Sequence, residues 1–368
     1  MTMTALEPLP VITTPAKERV AYLDNARYWV MLLVVIGHSL TQFGTIESAR
    51  AVYVWIYAFH MPFFVLISGY TARRYMGDAR QVRRIVSTLV VPYLIVETTM
   101  QLITRHYTGE PDPMLILSPQ WLTWFLAALF VWRLTTPIWR ALKYPITTSI
   151  LISLTVGLFE LPNVLSLPKI LGFLPFWVIG LHMSRERFER LTERPTRIVS
   201  AAILVVAFVI CYRYSAGWET DWLLWKQRYD ESPLSATALE GVMQRAELLT
   251  IGLLLSFAAL SLVPKRRSWT TRLGGRTIYT YLLHGYVVLF LSLQFDVFNR
   301  IEHFGVLAVI GTIAGAVVLA NLLMTAIVAK VFRPVFEPKL TWLFREMPDP
   351  HHPEKTSDDA KPATTHTT

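Results

Sequence analysis

The sequence predicts an all-α protein, a polytopic bundle of about ten transmembrane helices with both termini in the cytoplasm. Three observations predict it: an apolar composition, a series of apolar segments of membrane-spanning length, and an alternation of basic loops. Hydrophobic residues make up 53% of the 368 residues and charged residues only 17%, with a mean hydropathy of +0.40. Average soluble domains carry roughly 25% charged residues, so the bilayer is the natural solvent for this chain.

Ten apolar segments each approach the length that a helix needs to cross the bilayer. These segments are 28–43, 52–72, 85–104, 120–136, 145–161, 169–184, 198–214, 246–262, 277–296 and 305–328. The fifth and sixth are the least regular, because they are short and Pro162, Pro168 and Pro175 interrupt this part of the chain.

Basic residues predict the orientation, because Lys and Arg collect in the cytoplasmic loops of membrane proteins. With the N-terminus inside, most Lys and Arg residues fall in loops assigned to the inside, and the alternation never reverses along the chain. The same rule accounts for the net charge of +9 without a nucleic-acid partner, since no basic stretch lies outside the loops that flank the spans. We therefore expect a multi-pass protein of the cell membrane, either the plasma membrane or the inner membrane, with the lipid bilayer as a partner.

The composition changes along the chain divide it into four parts. We expect a flexible N-terminal segment at 1–17, a transmembrane domain at 18–328, an amphipathic interfacial segment at 329–346 and a disordered cytoplasmic tail at 347–368. Cys211 is the single cysteine, which excludes an intramolecular disulfide and a cysteine metal cluster.

Four ionisable residues fall inside the predicted spans, where burial is costly and function is the usual reason for it. Counted from the cytoplasmic ends at about 1.5 Å per residue, His38 and His60 lie roughly 15 and 18 Å deep. On the same scale, Glu97 lies roughly 18 Å deep and His284 roughly 12 Å deep. Four such groups at similar depth favour one polar cavity, although each could also be a separately satisfied core residue.

The second predicted inner loop is rich in arginine, namely Arg73, Arg74, Arg80, Arg83 and Arg84. Clustered guanidinium groups bind phosphates, but the orientation bias alone also explains such a loop. Before the first span, Asp24 and Asn25 resemble a helix N-cap, and Asp24 could pair with Arg27.

The longest predicted outer loop carries Trp218, Trp222 and Trp225 at helical spacing. Their rings could stack on a sugar, or they could anchor the loop at the membrane interface.

These features admit two classes of function. One is a transporter or exporter of a small solute or glycan precursor, with His and Glu as a proton relay. The other is an enzyme that takes a phosphorylated donor from the cytoplasm and performs acid–base chemistry within the bilayer. Composition and spacing do not decide between them.

Motifs in the first two spans resemble a known family. Tyr22-Leu23-Asp24-Asn25-Ala26-Arg27 runs into Val34-Val35-Ile36-Gly37-His38, and Phe59-His60-Met61-Pro62-Phe63-Phe64 ends in Ser68-Gly69-Tyr70. Later matches, in order, are Trp124-Phe125-Leu126, Pro175-Phe176 with Gly180, and Gly275-Arg276 followed by Tyr281-Leu282-Leu283-His284. Over about residues 18–296 the chain resembles the membrane-bound acyltransferase-3 family, in its fucose-4-O-acetylase-like subgroup.

The resemblance implies transfer of an acyl group, most often acetyl, from cytoplasmic acyl-CoA to a hydroxyl of a glycan, such as a polysaccharide, or of another extracytoplasmic acceptor. It implies an O-acetyltransferase in which Arg27 and His38 match the family's Arg–His signature, with His38 as general base and His60, Glu97 or His284 orienting it or stabilising an oxyanion. An acyl-imidazole on His38 is the alternative chemistry.

The donor site that the resemblance implies is cationic. Arg80 and Arg83 match the Arg-x-x-Arg signature. The expected binders of the donor phosphates are Arg73, Arg74, Arg80, Arg83, Arg84 and Arg276. Acyl-CoA is the donor substrate, and neither a metal nor a permanently bound cofactor is expected.

Overall fold

The computed structural model describes residues 15–43, 45–109, 115–191 and 193–344. The structure is 77% helical, and it contains no strand within these ranges. The predicted tail at 347–368 and most of the predicted N-terminal segment lie outside the described residues. The helices are α1 (Pro15–Leu40), α2 (Glu47–Tyr57), α3 (His60–Thr71), α4 (Ala79–Ile85), α5 (Val91–Thr108), α6 (Trp124–Leu134), α7 (Thr136–Ala141), α8 (Pro145–Thr155), α9 (Leu167–Gly172), α10 (Leu174–His182), α11 (Arg185–Arg190), α12 (Arg194–Tyr214), α13 (Ala238–Leu262), α14 (Trp269–Gly274), α15 (Thr277–Leu293), α16 (Val297–Glu302), α17 (Val306–Leu323) and α18 (Ala326–Phe336).

Five helical stretches of the described chain are long and apolar enough to cross a membrane. They are Glu47–Arg74, Ala79–Thr108, Arg194–Gly217, Ala238–Leu262 and Val306–Leu323. A sixth candidate is the pair formed by α9 and α10, which is bent by 59°. Shorter apolar helices lie at Trp124–Leu134, Pro145–Leu158 and Thr277–Leu293. The all-α prediction is confirmed, whereas the count of about ten spans and the orientation of the termini stay predictions.

The first helix begins earlier than its apolar segment. Helix α1 starts at Pro15, so Asp24 lies inside it and the interpretation of Asp24-Asn25 as an N-cap was wrong. Cap-like residues inside a helix can face other elements, and here the Asn25 side chain does so. The predicted pairing of Asp24 with Arg27 is confirmed, with 2.9 Å between Oδ1 and Nη1.

Asn25 joins α1 to the segment before α15. Its amide nitrogen donates to the carbonyl oxygens of Pro264 at 2.8 Å and Arg266 at 3.0 Å. Its amide oxygen accepts from the hydroxyls of Thr270 and Thr271, each at 2.8 Å. All four hydrogen-bonding positions of this fully buried amide are therefore occupied.

Connections between helices collect on two opposite sides of the bundle. On the first side, which we call the arginine side, the Arg140 guanidinium donates to the carbonyl oxygen of Tyr75 at 2.6 Å. On the second side, which we call the cavity side, Arg228 and Glu160 lie 3.5 Å apart. The arginine side holds the connections around 72–78, 183–191 and 263–268, and the cavity side those around 45–46, 158–166 and 215–237. Which of the two sides faces the cytoplasm stays a prediction.

Two glycines allow close packing of α3 against α10. A Cβ on Gly69 would lie 2.2 Å from the carbonyl oxygen of Trp177, and one on Gly180 would lie 2.1 Å from that of Leu66. Two backbones can approach this closely only where side chains are absent, as at small-residue contacts between membrane helices. Gly69 and Gly180 thus bring α3, which starts at His60, against α10.

The predicted interfacial segment corresponds in part to α18. This helix is capped by Thr325, whose hydroxyl accepts from the amide of Val328, and it contains Pro334. Glu337, which follows the helix, accepts a hydrogen bond from the Tyr279 hydroxyl at 2.7 Å, so the segment packs against α15.

Candidate active site

A cavity of about 950 Å³ opens on the cavity side of the bundle. His38 and His60 both contribute to its lining, as do Tyr57 and Trp121. Polar residues of the cavity-side connections, such as Glu160, form the other end. The structure therefore brings two of the four predicted mid-membrane residues to the same cavity.

A histidine pair connects α1 to α15. His38 Nδ1 and His284 Nε2 lie 2.9 Å apart. His284 Nδ1 lies 2.8 Å from the carbonyl oxygen of Thr280, which can only accept. The Nδ1 atom of His284 must therefore carry a proton and donate it to this carbonyl.

The tautomer of His284 determines that of His38. A neutral His284 protonated on Nδ1 has a lone pair on Nε2, so His38 must donate its own Nδ1–H to it. His38 is then unprotonated on Nε2. Because His38 lines the cavity and is only partly buried, this arrangement presents a proton acceptor to a molecule in the cavity.

His60 has the same tautomer for a similar reason. Its Nδ1 lies 2.9 Å from the carbonyl oxygen of Ile56, and its side chain is 1% exposed. The Tyr57 ring stands between the two cavity histidines, with its centroid 4.6 Å from that of His60 and 6.4 Å from that of His38. His60 therefore contributes a second lone pair to the cavity.

Trp121 packs its ring against His38, with 4.9 Å between the ring centroids. Its backbone adopts φ +30°, which is unfavourable for a residue with a bulky side chain. Such backbone conformations persist only where neighbouring groups hold them, and they are common at functional sites. Hydrogen bonds on both flanks of Trp121 supply this support.

Glu97 is the main support of this turn. Its carboxylate accepts from the Gln120 amide at 3.1 and 3.2 Å, from the Gln101 side chain at 2.6 Å and from the Thr123 hydroxyl. The fully buried Glu97 therefore acts on the residues before and after Trp121. The partners of Glu97 lie in the 115–123 connection and on its own helix, α5.

Arg27, predicted as a catalytic partner of His38, and the arginines predicted to bind the donor lie on the other side of the bundle. Arg27 pairs with Asp24, and it lies about 16 Å from His38 along α1, from eleven residues at 1.5 Å per residue. Arg73 places its guanidinium carbon 5.2 Å from the Tyr70 ring centroid. Arg276 is half-buried and precedes α15.

The Arg-x-x-Arg pair lies on α4, one turn apart, so Arg80 and Arg83 share a face. Arg83 donates to the carbonyl oxygen of Lys339 at 3.1 Å, which ties α4 to the segment after α18. Arg74 and Arg84 are exposed on either side of this pair. The five arginines thus surround one end of the bundle rather than the cavity.

Two further arginines on this side were counted in the sequence only as topology signals. Arg140 donates to the carbonyl oxygens of Ala72, Arg73 and Tyr75 and so fixes the turn that begins the arginine loop. Arg133, in the last turn of α6, has a buried Nε without a hydrogen-bond partner in the described structure. It lies close enough to Arg27 and Arg84 for their charges to interact.

Sequence reasoning also passed over two cations of the cavity. Lys169 and Arg245 both line it, and Arg245 is 1% exposed. The sequence feature that could have identified them as site residues was their position at the edges of the apolar segments 169–184 and 246–262.

The three tryptophans of the long loop do not share one helix, contrary to their spacing. A 3-10 helix covers Thr220–Leu224, and Trp225 follows it with φ +56°. The left-handed residue ends the helix and turns the Trp225 ring onto Phe173, with 4.8 Å between the centroids. Trp225 is thereby buried in the cavity wall, whereas Trp218 stays exposed.

Comparison with known proteins gives a family for the whole membrane bundle. The sequence profile of the family described as Acyltransferase domain, the acyltransferase-3 family, matches residues 20–323. No curated protein and no solved structure matches the chain. The match extends from within α1 to the end of α17 and contains the histidine pair. The chain belongs to the acyltransferase-3 family and is a multi-pass membrane acyltransferase.

Proposed function

We propose that the protein is an O-acetyltransferase that moves an acetyl group from cytoplasmic acyl-CoA to a hydroxyl of an extracytoplasmic glycan or related acceptor. The observation that carries this proposal is the His38–His284 hydrogen bond at the cavity, because it leaves His38 Nε2 unprotonated. A base in that position is what attack by a hydroxyl on a thioester requires. The transporter alternative has no comparable support, since family membership favours the enzyme.

The reaction needs one proton carrier. The acceptor hydroxyl attacks the thioester carbonyl while His38 Nε2 takes its proton, and a carbon–oxygen bond forms. The carbon–sulfur bond of the tetrahedral intermediate then breaks, and the leaving thiolate takes the proton from His38. The products are the ester and free CoA thiol, and His38 returns to its starting state.

His284 assists this cycle by orientation and charge. The Thr280 carbonyl holds the His284 tautomer, and the His284 Nε2 lone pair faces the Nδ1–H of His38. When His38 takes a proton, that lone pair stabilises the imidazolium, as the third member of a catalytic triad does. The Tyr57 side chain lines the same cavity, and its hydroxyl is a donor of the kind that an oxyanion requires.

The two substrates would approach from opposite sides. The arginine side offers guanidinium groups for the phosphates of CoA, and Arg27 lies about 16 Å from His38 along α1. The narrow pantetheine arm of CoA can cover such a distance through a helix bundle. The cavity side offers about 950 Å³, which is enough for a sugar residue of a glycan.

Acetyl as the acyl group, a fucose-like sugar as the acceptor and the cell membrane as the location extend the proposal by resemblance alone. Mass spectrometry of cell-surface glycans with and without the gene tests the acyl group and the acceptor, since each acylated hydroxyl adds the mass of one acyl group, and membrane fractionation tests the location. An unchanged glycan and metabolite profile would contradict the proposed acceptor class.

The role of His38 is tested in membranes that contain the full-length protein and radiolabelled acetyl-CoA. His38→Ala should reduce transfer of label to endogenous acceptor by about 10²–10⁴-fold, the usual contribution of a general base. The matched control is His182→Gln, because His182 binds the Trp139 carbonyl oxygen on the exposed arginine side. Retained transfer in His38→Ala, at equal amounts of inserted protein, would exclude His38 as the base.

The same membranes distinguish direct transfer from an acyl-enzyme. If His38 is the nucleophile, labelled protein accumulates when acceptor is removed, and this label is absent from His38→Ala. Direct transfer predicts no acceptor-free labelling of His38.

A further inference from the structure

Arg245 is a buried cation whose charge the protein itself does not neutralise. It lies in the second turn of α13, lines the cavity and is 1% exposed. No carboxylate forms an ion pair with it within the described ranges, and its Nε and Nη1 atoms have no hydrogen-bond partner there. A buried and unpaired guanidinium is costly, and membrane proteins retain such groups chiefly for function.

Aromatic rings hold the guanidinium in position. Its central carbon lies 4.4 Å from the Trp225 ring centroid and 5.5 Å from that of Tyr229. The Tyr229 hydroxyl donates to the carbonyl oxygen of Leu154 at 2.8 Å, which fixes this ring. The contacts orient Arg245 but leave its positive charge without a counter-ion, and its Nε and Nη1 atoms have no hydrogen-bond partner in the described structure.

None of the three acidic residues that line the cavity, Glu160, Asp230 and Glu231, forms an ion pair with Arg245 in the described structure. Glu160 and Asp230 have side chains that are 87% and 62% exposed, and both pair with Arg228 at 3.5 and 2.5 Å, whereas Glu231 is exposed at the rim. The hydrogen bond from Arg228 lowers the pKa of Asp230, so this rim carboxylate is ionised and already neutralised. The rim therefore has carboxylates of its own beside its cations, whereas the interior cations have none in the described part of the chain.

Lys169 adds a second cation to the interior. Its ammonium lies 5.1 Å from the Trp124 ring centroid, and its side chain lines the cavity. It also lies close enough to His38 for their charges to interact. The wall of the cavity thus carries two cations that contact aromatic rings, Trp124 for Lys169 and Trp225 and Tyr229 for Arg245.

We propose that the acceptor is anionic and carries a carboxylate or phosphate that Arg245 binds while a neighbouring hydroxyl reaches His38. Guanidinium groups bind both kinds of anion through charge-assisted hydrogen bonds. The statement that the bound anion is the acceptor substrate rests on the proposed function. The presence of an anion site rests on Arg245 alone.

The test measures binding to the purified full-length protein in detergent, with saturating CoA present to occupy the arginine side. The probes are glucuronate, glucose 6-phosphate and neutral glucose, compared at equal ionic strength by the shift in thermal midpoint. At least one anionic sugar should stabilise the wild type more than glucose does, and Arg245→Met should weaken its apparent affinity at least tenfold. Binding of glucuronate alone assigns a carboxylate acceptor, and binding of glucose 6-phosphate alone assigns a phosphate.

Arg228→Met is the matched control, because Arg228 is a rim arginine of the same cavity that already has carboxylate partners. It should keep the affinity of the wild type. Equal stabilisation by glucose and by both anions, or full affinity in Arg245→Met, would overturn the proposal.

A second measurement avoids dependence on a variant that fails to fold. Hydrogen–deuterium exchange of the wild type in detergent reports on peptides that cover the start of α13 around Arg245. The anionic sugars should slow exchange there at least several-fold more than glucose, and equal protection would contradict the proposal. His38→Ala should bind the anions as the wild type does. Lost acyl transfer with retained anion binding therefore separates the proposed function from the anion site.

Discussion

The two ends of α1 carry polar side chains that differ in one respect. Asn25 makes four hydrogen bonds and is fully buried, so its polar capacity is used within the fold. His38 uses one ring nitrogen for His284 and keeps the lone pair of the other at a cavity. The comparison teaches that burial of a polar group does not by itself indicate function; incomplete satisfaction beside a cavity does.

After the loss of His38 itself, the largest effect is expected from His284→Ala, which removes the acceptor of the His38 Nδ1–H. His38 could then take either tautomer and turn about its side-chain bonds, so transfer should fall by about a hundredfold. Radiolabelled acetyl transfer under saturating acetyl-CoA measures this rate.

His284→Gln is the informative second variant, because the glutamine carbonyl can still accept from His38. It should recover part of the lost rate. If both variants transferred at the wild-type rate, the histidine pair would be a packing contact only.

The Asn25 end should respond in stability rather than in chemistry. Asn25→Ala removes four hydrogen bonds, among them the acceptor of the buried Thr270 and Thr271 hydroxyls, and should destabilise the fold by about 2 kcal/mol. The thermal midpoint in detergent measures the loss, and the transfer rate per folded molecule should stay unchanged.

Asn163→Ala is the control for this change, since Asn163 is exposed and makes a single side-chain hydrogen bond of 3.3 Å to Ser118. Its midpoint should match the wild type. A normal midpoint in Asn25→Ala, or a selective loss of catalysis in it, would contradict the contrast between the two ends.

The positions of the ten apolar segments could be predicted from the sequence, and each segment coincides with at least one helix of the described structure. The pairing of Asp24 with Arg27 could also be predicted, since residues three apart on a helix are neighbours. Both inferences depend only on local periodicity. The start of α1 at Pro15 could not be predicted, because its first turns are polar and lack an apolar period.

The histidine pair illustrates what the sequence could not supply. Counting residues gives the depth of His38 and His284, which are 246 positions apart, but not the direction in which each side chain points from its helix. Arg245 was overlooked for the opposite reason. It was counted among the outer basic residues, and only its burial without a carboxylate distinguishes it from the exposed ones.

Glu97 tests whether a buried group whose hydrogen bonds are all made within the fold can still influence catalysis through a neighbour, here Trp121. Glu97→Ala should release the turn that holds Trp121 against His38 and lower the transfer rate about tenfold, or about 1.4 kcal/mol in the barrier. Acyl-CoA binding should be unchanged, because the turn lies on the cavity side. Glu97→Gln keeps part of the hydrogen bonding and should recover part of the rate.

Glu47→Ala is the matched control, since Glu47 lies exposed in the first turn of α2. A rise in the dissociation constant for acyl-CoA in Glu97→Ala, without a change in rate, would show that the turn does not position Trp121 for the chemistry.

The smallest effect is expected from Arg133→Met. This variant tests on the arginine side whether a buried polar atom without a hydrogen-bond partner indicates function there too. The buried Nε of Arg133 has no hydrogen-bond partner in the described structure, and Arg27 and Arg84 lie within range of its charge. Three cations this close repel one another, so binding of an anion among them is favoured. Removal of the Arg133 guanidinium should therefore weaken acyl-CoA binding about fivefold. Equilibrium binding of radiolabelled acetyl-CoA to the purified protein measures the change. Arg187→Met, an exposed arginine on the same side, should bind as the wild type does. If Arg133→Met and Arg187→Met bound acetyl-CoA with equal affinity, Arg133 would serve only as a topology signal. Unsatisfied polar groups with a function would then lie on the cavity side alone.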